Sequence, residues 1–148
     1  MSAQREIKFR AWDGKDMYYD VQNAYKSHIK TIPIEAAHAV SFGEILALEL
    51  FEVMQFTGKY GFGKRELYEG DIVFYEETHD EGDVRYYLVI VWIPEWCMFA
   101  SLHMSEYKDF LIDGYAVLDE TMFWTYTLEN SEDYHFAGTI HENPELLK

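Results

Sequence analysis

The chain has 148 residues, one cysteine and a formal net charge of −15. The length suits one domain. Hydrophobic residues make up 49%, which supplies a core and argues against extended disorder, and a single cysteine excludes an internal disulfide framework or a cysteine-built zinc site. So acidic a chain disfavours nucleic acid and anionic membranes as partners, because both are bound through clustered Lys and Arg.

Ile7, Phe9 and Ala11 alternate with Lys8, Arg10 and Trp12, the period of a half-buried strand. Asp13-Gly14 follows, then a second strand-like run at 17–21, so the pattern predicts a β-hairpin. Residues 23–37 have no clear period and read as loop or short extended pieces, with Pro33 limiting regular structure. Ser41-Phe42-Gly43-Glu44 matches a capping box, which predicts a helix of two or three turns through Ile45, Leu46, Leu48 and Glu49. Residues 51–56 read as a strand; one helix over 41–56 is the competing reading. Residues 57–70 hold Gly58, Gly61, Gly63 and Gly70, and so read as turns.

Strands are expected at 71–75 and 86–93, with acidic residues 76–83 as an exposed loop between them. The 86–93 run has no polar face and should be a central strand covered on both sides. It is also the longest apolar run, far short of the roughly 20 residues of a membrane-spanning helix. Residues 96–102 follow as a strand after Pro94-Glu95. A short helix over 105–111 would place Tyr107, Phe110 and Leu111 on one face, ended by Gly114. Residues 122–128 alternate as a strand, and 136–140 form the last one. Asn143-Pro144 opens a terminal helical turn, with Asn as cap and Pro first. The fold class expected is mainly β: an antiparallel sheet or barrel with small helices.

Few constellations survive inspection. Gly58 to Lys64 nearly matches a phosphate-binding loop, but Arg65 stands where the Mg²⁺-binding hydroxyl belongs, and turn and strand follow instead of helix. A Gly-rich hairpin loop is the better reading. His79 among Glu76, Glu77, Asp80, Glu81 and Asp83 offers at most a weak divalent-cation site, and no spacing matches a calcium loop. The histidines His28, His38, His103, His135 and His141 show no zinc-ligand spacing. Cys97, in a strand-like stretch, reads as inert packing. No catalytic, cofactor or metal residue is assigned, and the chain is expected not to be an enzyme. The aromatic hairpin is different: an isolated hairpin is marginal and must pack on something. Phe9, Arg10, Trp12, Tyr18 and Tyr19 are the candidate oligomer interface.

Three segments together resemble the YopX family of small prophage-associated proteins. The first is 7–13 (Ile-Lys-Phe-Arg-Ala-Trp-Asp) with 17–21 (Met-Tyr-Tyr-Asp-Val). The second is 53–58 (Val-Met-Gln-Phe-Thr-Gly), then after eight residues 67–73 (Leu-Tyr-Glu-Gly-Asp-Ile-Val). The third is 138–147 (Gly-Thr-Ile-His-Glu-Asn-Pro-Glu-Leu-Leu). The family's polar Asp/Asn-Gly turn is replaced here by Lys59-Tyr60-Gly61-Phe62-Gly63, with loop length kept, so the hairpin should survive. The resemblance implies an N-terminal hairpin used in oligomerisation (1–22) and a helix-capped pseudobarrel (23–148), resembling the PRC-barrel in part of its topology. It implies no activity and no catalytic residue. Thr57, Gly58, Tyr68, Glu69, Gly70, Asp71, Asn143 and Pro144 read as folding constraints.

Charge divides the chain. Residues 1–65 carry nine Lys/Arg and eight Asp/Glu, residues 66–148 three and nineteen. The first functional expectation is a non-enzymatic homo-oligomeric protein-interaction module, with a basic protein as a possible partner. The second is an acidic decoy that occupies a basic nucleic-acid-binding protein. The third is a divalent-metal-dependent enzyme using the 76–83 loop. Residues 1–6 have no apolar signal region, so a soluble, cytoplasmic protein is expected.

Overall fold

The computed structural model describes residues 6–23, 42–47, 51–113 and 126–148. Most of the loop expected at 23–37, along with His28, His38, Ser41, Gly114 and residues 122–125, lies outside them. The chain divides into two compact units, Met1–Gly58 and Lys59–Lys148.

In the first unit, β1 (Phe9–Trp12) pairs antiparallel with β2 (Met17–Tyr19), Arg10 opposite Tyr19 and Trp12 opposite Met17. Its other edge pairs with the start of β3 (Glu52–Gly61), Phe9 opposite Gln55. A short helix, α1 (Phe42–Ala47), buries Ile45 against Ala11 and Val21. Helix and strand are thus separate, and the single helix over 41–56 is not formed. The hairpin turn forms as expected, but the Asp13 side chain organises it. Its Oδ1 accepts the Lys15 and Asp16 amides at 2.8 and 2.7 Å, and its Oδ2 accepts the Tyr18 hydroxyl at 2.9 Å.

The second unit takes up β3 at its end. A 3₁₀ turn, Phe62–Lys64, leads into β4 (Arg65–Tyr68), so the hairpin survives its altered turn. The strand order of the first sheet is β2-β1-β3-β4. The second sheet has the order β7-β6-β5-β8, from β5 (Asp71–His79), β6 (Gly82–Ile93), β7 (Met98–His103) and β8 (His135–Thr139). All its pairings are antiparallel. Alternation then decides the packing. On one face Val89, Val91 and Ile93 of β6 join Ile72, Ala100 and Leu102, with Tyr107 of α2 (Met104–Asp113). On the other, Leu88 and Ile90 join Val73, Leu67, Leu128 and Tyr134. Strand β6 is therefore central and covered on both sides, as its sequence demands. Among the described residues the fold is mainly β, with two antiparallel four-strand sheets and short helices.

Four expectations are corrected. Acidic residues 76–83 are not a loop: β5 and β6 continue as a paired ribbon to a two-residue turn at Asp80-Glu81, with His79 opposite Gly82. The ribbon is exposed, so its carboxylates stay solvated while the backbone pairs. The strand expected at 96–102 begins only at Met98. Trp96 closes a 3₁₀ turn, and Cys97, exposed rather than packed, takes a left-handed conformation (φ 47°). In α2, Tyr107 and Phe110 pack on the sheet but Leu111 is 60% exposed, at the helix end. Finally, described residues Tyr126 to Leu128 are not strand. Tyr126 belongs to one core and Leu128 to the other, where a strand would aim both at one face; a 3₁₀ segment, Leu128–Asp133, follows.

Candidate functional site

Each half of the molecule carries its own candidate. In the first unit it is the hairpin. Phe9 tilts against Phe42 with ring centroids 4.9 Å apart. Arg10 is 1% exposed, with its guanidinium 5.9 Å from the Tyr19 ring centre. Trp12 and Tyr18 are half-buried, and Tyr19 is 41% exposed, as is Ile7 at 55%. The five proposed interface residues therefore divide: Arg10 is inside, Tyr19 outside, the others between. Among the described residues β2 stands at the end of the strand order of its sheet. The Asp13 carboxyl is pushed up by burial, but the Asp16 and Lys15 amides and the Tyr18 hydroxyl outweigh this and hold it below its ordinary value.

The motif residues of the second and third segments meet in space. Tyr68 N–H donates to the buried Asp71 carboxylate at 2.8 Å, closing the turn between β4 and β5. Gly70 takes φ 89°, a conformation that a Cβ disfavours. Its N–H donates to the Ile90 carbonyl at 2.8 Å, and its carbonyl accepts the Ile140 N–H at 2.9 Å. That turn therefore ties β6 to the segment after β8. Asn143 stands at the cap position of the helical turn that Pro144 opens, but its side chain makes no capping hydrogen bond there. Its Oδ1 accepts the Thr139 N–H at 3.2 Å, and its side chain lies over Gly138, where a Cβ would strike it. Thr57 and Gly58 lie within β3, with Gly58 at φ 83°.

The second candidate is a cleft of about 550 Å³ in the second unit, lined by Phe62, Tyr75, Glu76, Leu88, His103, Asn130, Asp133, Tyr134 and His135. Its rings are in mutual contact. Phe62 stacks on His135 at 4.3 Å, and Tyr75 lies 6.3 Å from both His103 and Tyr134. Burial first, then the charge of Glu77, raises the Tyr75 phenol above its ordinary pKa. Ser101 Oγ and the Tyr134 hydroxyl share a buried hydrogen bond of 3.2 Å. No sequence motif announces this cleft, because its residues are scattered from 62 to 135 and tertiary packing gathers them.

The remaining candidates stay dispersed. Cys97 Sγ lies 3.5 Å from the Pro94 carbonyl. Glu76 binds Arg85 at 2.6 Å, and His79 lies 3.5 Å from Glu77. Among the described residues no three His, Cys, Asp or Glu converge as a metal site would require, and no helix is long and apolar enough to cross a membrane.

A family model described as YopX protein matches residues 8–148. A crystal structure of protein EF1440 from Enterococcus faecalis is similar in fold, with a TM-score of 0.54 at 22% identity, covering 98% of this chain and 100% of that one. None of the curated proteins matches.

Proposed function

The chain belongs to the YopX family, and on that footing we propose that it is a prophage-associated, non-enzymatic module that self-associates through its N-terminal hairpin. The observation that carries this reading is the exposure of large apolar side chains on the hairpin region, Tyr19 at 41% and Ile7 at 55%. Exposed apolar and aromatic side chains suit contact with a second chain. Charge supports it: six of the twelve basic residues fall by position 30, against nineteen carboxylates beyond 65. A near-neutral arm on an acidic body lowers the repulsion that two copies would otherwise feel.

The alternatives draw less support. A decoy needs carboxylates in a row on one face. Along the β5–β6 ribbon, however, Glu76 and Asp83 point to one side and Glu77 to the other, by the two-residue period. The metal-enzyme reading rested on a loop at 76–83, which is a paired ribbon. Light scattering after size exclusion tests the proposal. It predicts a mass at least twice the 17.5 kDa of one chain at micromolar concentration; a strict monomer would overturn it.

A further inference from the structure

We propose that the cleft of the second unit binds a small planar organic cation of the amidine or guanidine class. Its lining includes the aromatic side chains of Phe62, Tyr75, Tyr134 and His135, with Phe62 62% exposed, and no Lys or Arg lines it. Aromatic faces attract cations, most strongly where water is partly excluded. Glu76 and Asp133 also line it; Glu76 is engaged by Arg85, so Asp133 supplies the orienting charge. An anionic ligand is disfavoured in a unit with nineteen carboxylates and six basic residues.

The unit already uses this recognition on itself. Both of its arginines lie on rings: Arg65 3.6 Å from the Phe136 centre, and Arg85 4.5 Å from that of Phe74 with Glu76 at its edge. The cleft's volume of about 550 Å³ fits a whole small molecule rather than one side-chain tip. The site is set in advance. Tyr134 is held by Ser101 through its hydroxyl, and by Phe62 and Ser131 through its backbone, the latter bonds at 2.8 and 2.9 Å.

The test uses three molecules of one shape and different charge: benzamidine, benzamide and benzoate. Each is titrated into the full chain while the tyrosine and histidine ring resonances are followed by NMR. Benzamidine should shift the Tyr75, Tyr134 and His135 signals saturably in the millimolar range, and benzoate should not. Asp133→Asn should weaken benzamidine about three- to fivefold, the scale of one exposed charge or ring contact, and leave benzamide unchanged. Phe62→Ala, at a residue 62% exposed, should weaken benzamidine to a similar extent. Binding of benzamide or benzoate as tight as that of benzamidine would overturn the proposal. So would ring signals unmoved by all three, or both variants binding benzamidine as the parent does.

Discussion

A methyl group on Gly138 would run into the Asn143 side chain, with Cγ 2.6 Å and Cβ 2.9 Å from it. Gly138→Ala should therefore cost about 1–3 kcal/mol, the scale of overpacking, measured by urea denaturation. Asn143→Gly in the same chain should recover part of the loss, because the obstacle is then gone; additive losses would contradict the contact. At the hairpin, Asp13 acts through three hydrogen bonds. Asp13→Ala should destabilise by about 1 kcal/mol. Its lowered pKa fixes the sign of the pH effect. A carboxyl that is more acidic folded than unfolded stabilises the fold fully above its unfolded pKa, and loses that contribution as pH falls through the folded value. The stability gap between the parent and Asp13→Ala should thus be constant at neutral pH and shrink in acid. Denaturation series at several pH values check it, and a gap that widens in acid would reverse the assignment.

Strand β6 carries the largest element-scale prediction. Ile90 is fully buried at the centre of its sheet, so Ile90→Ala should cost about 2–5 kcal/mol. Leu111→Ala, at an exposed helix end, should stay within about 0.5 kcal/mol. Thermal or urea melts separate the two. The apolar run at 86–93 made β6 legible because a strand covered on both faces needs no alternation. The first hairpin was legible through its period and its Asp-Gly turn, and the last strand through Asn143-Pro144 behind it. The ribbon at 76–83 was not. Its strand character comes from pairing β5 with β6 beyond the core, and pairing leaves no trace in local polarity. Residues 126–128 misled for a related reason: an alternating pattern was filled by a bend that sends Tyr126 and Leu128 into separate cores. The cleft was illegible because Tyr75 and Tyr134 meet only through tertiary packing.

At the scale of the whole molecule, charge is the governing feature. The acidity belongs to residues 66–148, while the hairpin half is near neutral. If the arm of one copy meets the body of another, assembly weakens with salt as the screening length falls from about 10 Å at 0.1 M to about 3 Å at 1 M. Sedimentation across that range should show a falling mass; a mass that rises with salt would point to apolar contact alone. The central claim is that the N-terminal hairpin joins two copies. It is tested most directly by sedimentation of Tyr19→Glu beside Leu111→Glu, two exposed apolar residues from different units. The account predicts that Leu111→Glu keeps the parent's assembled mass while Tyr19→Glu falls to 17.5 kDa. A Tyr19→Glu chain that sediments like its parent would contradict it.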